Sequence, residues 1–315
     1  TVHVWDAAYT APADAPLPWR VLTTLDAHPK KPRTSGNRVD GTADPVAFAD
    51  PAGARLAVGG NDDRVRVFDL GTGKRLWRSK PLGKDVQALH AATSGRLAAR
   101  IYGGKAFIFD PKGASAWART AKFDHGHGWM SGLTASGKWY VSDTFDGTVN
   151  WHDAKTGKWK ASTEAKGRMD RRGMRVRGGA VALPLPSALG MVDAEELREG
   201  PTVISQAPTI YRSRDGQVVQ AFPVNPQTLL RETCSASRCT VELLPAAGGP
   251  AQATVALDVA GGGWSPSVPS SLDITADGQW LFHFRLGLPP LLIHVPSGRK
   301  QPVAQITGAD GHEYT

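Results

Sequence analysis

The sequence predicts an all-β fold, a seven-bladed β-propeller of four-stranded antiparallel blades with one blade incomplete. Three observations lead there. Residues 46–77, "VAFADPAGARLAVGGNDDRVRVFDLGTGKRLW", hold four short alternating runs separated by Pro/Gly, Asn/Asp and Gly-Thr-Gly turns, which is the pattern of four antiparallel strands. The plan returns in residues 132–162, "GLTASGKWYVSDTFDGTVNWHDAKTGKWKAS". A third-strand signature can be placed seven times, as "TVHVWD", "RVRVFD", "AFIFD", "TVNWHD", "ALGMVD", "CTVELL" and "LLIHV". Units of roughly 35–50 residues with four strands each are propeller blades, which bury their faces only by stacking on neighbours.

In chain order, the sequence opens on "TVHVWD", a third strand whose first two strands are absent, and then runs into the full repeat at 46–77. "ALHAATSGRLAARIYGGKAFIFD" is a looser copy, followed by the second full one. "RVRGGAVALPLPSALGMVD" and "VQAFPVNPQTLLRETCSASRCTVELLPAAGG" are degenerate copies, and "SLDITADGQWLFHFRLGLPPLLIHVPSGRKQ" is clearer. At the end, Gly311-His312 starts another unit. An open blade leaves unpaired strand edges, which proteins avoid. The expectation is therefore one propeller domain over residues 1–315 that belongs to a larger protein, its missing hairpin lying upstream of Thr1 or on a partner fragment.

Composition sets the class. Hydrophobic residues make up 41% and charged residues 21% of the 315, which describes a globular chain. No apolar run approaches the roughly 20 residues that span a bilayer. The formal charge of +8 favours acidic partners, although many basic proteins bind no polyanion. Cys234 and Cys239, in "CSASRC", flank a four-residue turn between strand-like runs, a spacing that lets them face each other across a hairpin and form a disulfide. A bonded pair implies an oxidising compartment outside the cytoplasm; free thiols in a cytoplasmic protein are the alternative.

"GHGWMSGLTASGKWYVSDTFDGTVNWHD", residues 126–153, resembles a repeat of the WD40 family, from the Gly-His pair through the Asp-Gly turn to the Trp-Asp position. The resemblance implies a side-chain network in which His127 and Asp146 take the His and Asp roles, Ser142 or Thr144 supplies the hydroxyl, and His152 stands at the Trp position. In the preceding blade His28, Asp62 and Phe68 fill the matching places, with Gly60 where a hydroxyl is expected. "LGTGKRLW" and "AKTGKWK" are also similar to turns of quinoprotein-type propellers. On this reading His127 is structural, and His125 lies on the loop entering the blade. A His-x-His pair needs a third ligand from another blade to hold a metal, and the sequence suggests none.

Propeller loops that join blades share one face with the turns between second and third strands, and loops on a rigid frame carry recognition. That face would present Lys30, Lys31, Arg33, Arg38, His125, Trp129, Arg168, Arg171, Arg172 and Trp264, joined by the turn residues Tyr102 and Phe145. Aromatic faces beside arginines suit sugars, extended peptides or bases. The plainer alternative is that the tryptophans pack between blades, as expected for Trp77, Trp139 and Trp159, and that the arginines form a solvated rim.

No nucleophile elbow, phosphate loop, H-E-x-x-H or paired-carboxylate motif is present. The expected function is a non-catalytic propeller that mediates protein–protein interaction within a larger bacterial protein; the bacterial source rests only on richness in Ala, Gly, Arg and Pro. By resemblance, such modules often follow a kinase, NTPase or protease-like domain. The alternatives are an extracellular glycan-binding, lectin-like propeller, and a metal- or quinone-dependent enzyme using His125. Nucleic acid is a minor option, and no cofactor is expected.

Overall fold

The computed structural model describes residues 2–6, 20–25, 45–60, 62–113, 115–124, 131–144, 148–164, 175–177, 180–184, 189–193, 211–212, 218–225, 228–234, 238–245, 249–258, 271–275, 278–284, 291–302, 306–307 and 313–314. Every regular element among them is a β-strand. A two-stranded ladder of β1 (Val2–Asp6) and β2 (Arg20–Leu25) comes first. Three four-stranded sheets follow. They are β3 (Val46–Phe48), β4 (Arg55–Gly59), β5 (Val65–Asp69) and β6 (Arg75–Arg78); β7 (Val86–Ala91), β8 (Leu97–Ile101), β9 (Lys105–Pro111) and β10 (Trp117–Asp124); and β11 (Ser131–Leu133), β12 (Trp139–Asp143), β13 (Thr148–Asp153) and β14 (Trp159–Glu164).

Next comes a three-stranded sheet of β15 (Arg175–Arg177), β16 (Ala180–Pro184) and β17 (Leu189–Asp193). A five-stranded sheet follows, with β18 (Tyr211–Arg212), β19 (Val218–Asn225), β20 (Thr228–Cys234), β21 (Arg238–Pro245) and β22 (Ala253–Asp258). The last four-stranded sheet holds β23 (Ser271–Ile274), β24 (Trp280–Phe284), β25 (Leu291–His294) and β26 (Arg299–Pro302), before a short ladder of β27 (Ile306–Thr307) and β28 (Glu313–Tyr314). Each strand pairs antiparallel with its sequence neighbour in the sheets whose register is resolved.

Among the described residues there are four four-stranded sheets and one five-stranded sheet, five blades and not the seven expected. The alternating signature marks a strand without counting its partners. "ALGMVD" is carried by β17 in a sheet of three strands, and "TVHVWD" by β1 in a sheet of two.

The chain divides into two compact units, Thr1–Gly179 with Asp193–Gly200, and Ala180–Val192 with Pro201–Thr315. In the first, a strand of period two serves two interfaces. On β5, Val65 and Val67 join Ala57, Val86 and Ile101 in the core shared with the next sheet. Phe68 turns the other way, onto Leu56, Val58 and Leu25. On β9, Phe107 and Phe109 face the first core, while Ala106 and Ile108 face Leu133 and Tyr140 of the third sheet. Middle strands such as β5 and β9 are thus buried on both faces, even where their sequence alternates.

A shared turn closes the third-to-fourth strand connection. Asp69 Oδ1 accepts from Thr72 N at 2.8 Å and Thr72 Oγ1 at 2.7 Å. Asp153 Oδ1 accepts from Thr156 N at 2.8 Å and Oγ1 at 3.0 Å. In the last four-stranded sheet His294 and Ser297 occupy the same two places, with Nδ1 and Oγ 2.8 Å apart. Gly157 ends the second of these turns at φ +72°, where a Cβ would lie 2.6 Å from Phe123 Cδ1. Gly157→Ala therefore combines a left-handed backbone with a clash and is expected to cost about 2–4 kcal/mol, read as a lower urea midpoint.

The tryptophans divide. Trp77 packs on Phe109 and Trp117, with ring centroids 5.3 and 5.9 Å apart, and Trp139 is buried. Trp159, expected to pack, is 59% exposed. It stands first on its outer strand, in the place held by Arg75 in the earlier blade, and Ala161 takes the position of Trp77. Its indole Nε1 donates to Ser162 Oγ at 2.9 Å.

Candidate functional site

Three connections of the first unit meet on one face: the β4–β5 turn, the β6–β7 loop and the β8–β9 turn. The first is built around a buried ion pair. Arg66 lies on β5 with 4% of its surface exposed, too costly for an unpaired charge. Its Nη1 donates to Asp62 Oδ1 at 2.9 Å and its Nη2 to Asp62 Oδ2, giving a two-pronged pair. Burial opposes the charged form of Asp62, but the hydrogen bond and charge of Arg66, with help from Arg64, outweigh it and hold the carboxyl below its usual range. A Cβ on Gly60 would lie 2.7 Å from Asp62 Oδ1, so glycine sits where the repeat pattern leads one to expect a hydroxyl. The partner seen for Asp62 is thus Arg66; His28 lies outside the described residues.

The β6–β7 loop holds this turn from below. Arg64 Nη1 donates to Ser79 O at 2.7 Å, Leu82 N to Asp63 O at 2.7 Å and Val86 N to Gly60 O at 3.2 Å. The same loop meets the next turn, where Tyr102 N donates to Asp85 O at 3.1 Å and Lys84 Nζ lies 5.2 Å from the Tyr102 ring centroid. Tyr102 is 48% exposed, so a cation and an aromatic ring stand together at the surface. A further tie links sheets. Arg96 clasps Asp110 through Nε and Nη2, and its Nη1 donates to Gly137 O of the following sheet at 2.6 Å.

In the third sheet, Ser142 and His152 are buried. His152 stacks on Phe123, ring centroids 4.9 Å apart, and its Nδ1 has no hydrogen-bond partner among the described residues. Burial holds its pKa below the usual value, opposed by the Gly157 backbone carbonyl, which favours the protonated ring. A His held neutral contributes stability that is complete above its unfolded pKa of about 6.5 and is lost as pH falls through the lower folded value. His152→Phe, which keeps a ring on Phe123, is expected to flatten that part of the decline in thermal midpoint below about pH 6.5. Thr144 closes the β12–β13 turn, its Oγ1 donating to Thr148 O at 3.1 Å.

In the second unit, Cys234 and Cys239 lie directly opposite each other on β20 and β21 and are disulfide-bonded, as their spacing implies. Beside them is a pair that sequence reading missed, Glu232 and His283, each with 2% side-chain exposure, with Oε1 and Nε2 3.4 Å apart. Trp129, Trp264, Arg168, Arg171, Arg172, His125, His127, Asp146, Lys30, Lys31, Arg33, Arg38 and Phe145 lie outside the described residues. Among the described residues no helix is long and apolar enough to cross a membrane.

Small meandering antiparallel sheets packed through alternate residues of shared strands define a WD40-like β-propeller fold. The chain is similar to the β-propeller domain of Myceliophteria thermophila Cps50 (Swd1), at 13% identity with TM-score 0.55, covering 85% of this chain and 88% of that one. It is also similar to a chain in the crystal structure of a mitotic checkpoint complex, at 14% identity with TM-score 0.47, covering 76% and 70%. No protein-family model matches the sequence, and no curated protein matches it.

Proposed function

We propose that the chain is a single, non-catalytic β-propeller that serves as a protein-interaction scaffold, binding its partner on the loop face around Tyr102. One observation carries this reading: an exposed aromatic ring with a lysine over it, mounted on a frame whose buried charges neutralise each other. Tyrosine and cationic side chains on rigid loops suit an extended peptide or a protein surface. The net charge of +8 supports an acidic partner. Coverage of 85% of the chain by one β-propeller domain supports a single domain. The three-stranded β15–β17 and the two-stranded β1–β2 support further blades towards the count of seven. The disulfide supports a compartment outside the cytoplasm.

The test immobilises the wild-type chain and a Tyr102→Ala/Lys84→Ala variant over an extract of the source organism. The wild type is expected to retain a discrete protein that the variant holds roughly 30-fold more weakly, the effect of losing one hot spot of about 2 kcal/mol. Equal retention by both chains rules out this face.

A further inference from the structure

Alternation along β20 places Leu230, Glu232 and Cys234 on its buried face. The register with β21 sets Cys239 opposite Cys234 and Val241 opposite Glu232. From the next sheet, β24 brings His283 to the carboxylate, its Nε2 3.4 Å from Glu232 Oε1. The Glu232 carboxylate and the two sulfurs all lie within 4.8 Å of one another. Apolar side chains surround them, including Val241, Leu257, Leu281 and Ile293. A Glu–His pair in such a setting bears a large desolvation cost, and well-packed hydrophobic residues would stabilise the interface as well or better. A pair retained there calls for a role other than stability.

We propose that Glu232, Cys234, Cys239 and His283 form a latent zinc site, closed while the disulfide is intact and opened by its reduction. Two thiolates, one imidazole and one carboxylate are a donor set for zinc, which takes four ligands in a tetrahedron. Ligands at about 2.0–2.3 Å from zinc stand about 3.3–3.8 Å apart, close to the spacing between His283 and Glu232. A thiol or phosphine reductant delivers two electrons and, with two protons, converts the disulfide to two thiols; a phosphine becomes its oxide, taking oxygen from water. The freed sulfurs can then separate, and a divalent ion displaces both thiol protons. Of the two cysteines, Cys234 is 6% exposed and Cys239 fully buried. Reduction would thereby exchange a covalent clamp within one sheet for a metal clamp across two.

The test uses the full chain, reduced with a phosphine, freed of reductant under anaerobic conditions and titrated with Co2+ as the probe. Expected are one Co2+ per chain with thiolate charge-transfer and tetrahedral ligand-field bands, bleached by Zn2+, and no such bands in the oxidised chain. His283→Gln and Glu232→Gln are each expected to weaken binding by at least about tenfold. On the wild type, an exchangeable imidazole proton shifted by the bound cobalt reports the histidine without any substitution. The proposal is overturned if the reduced chain shows no bands, loses its β-sheet circular dichroism, lacks the shifted imidazole proton, or binds Co2+ equally well in both variants.

Discussion

Asp62→Ala is expected to cost about 3 kcal/mol, near the lower end of the 3–5 kcal/mol typical when one partner of a buried pair is removed. The side chains of Arg66 and Asp62 are 5% and 16% exposed, so the substitution strands a guanidinium that water barely reaches. Asp62→Ala combined with Arg66→Leu is expected to restore part of the loss, because no unpaired charge remains. The pH dependence has a definite sign. Asp62 is held below its ordinary pKa, so its contribution is complete above about pH 3.9 and fades as pH falls through the lower folded value. Urea midpoints at neutral pH, repeated under acid conditions, should bring the wild type down towards Asp62→Ala as Asp62 protonates, while the double variant keeps its lead over Asp62→Ala.

Phe107→Ala is the second large effect, at about 3–5 kcal/mol. Phe107 is 1% exposed in the core shared by the first two four-stranded sheets, with Lys122 Nζ 5.6 Å and Arg119 Cζ 6.0 Å from its ring. Deleting the ring removes both its transfer free energy and its packing partners, and strands tied from both sides cannot collapse into the gap. Phe107→Leu keeps most of the volume and is expected to cost under about 1.5 kcal/mol. Equal losses from the two substitutions, measured by urea unfolding, would mean that the cavity does not set the cost.

The repeat was legible because turns and alternation are local. "RVRVFD" and "TVNWHD" do become β5 and β13, and the Asp-x-x-Thr spacing becomes two matching turns. Burial was harder to read. Alternation ordinarily means one face in and one face out, but β5 is buried on both faces, so Arg66 looks solvent-facing in sequence and is not. "LLRETC" poses the same problem: Arg231 pairs with Glu242 at 2.8 Å, while the adjacent Glu232 points into the core. Only the neighbouring sheet distinguishes the two positions. Trp77 and Trp159 follow the same turn two residues apart, and a register shift between those two positions puts them opposite adjacent residues of the third strand, on opposite faces. Tyr102 was legible as a turn aromatic; Lys84, which lies over it, comes from a loop whose position depends on the packing of two sheets.

The most direct measurement is hydrogen exchange on the chain with and without its captured protein partner. Added protection in the β4–β5 turn, the β6–β7 loop and the β8–β9 turn, with the outer strands β6, β10 and β14 unchanged, is the expected result. Protection confined to those outer strands, or no change around Tyr102, would contradict a scaffold that recognises its partner through the loop face.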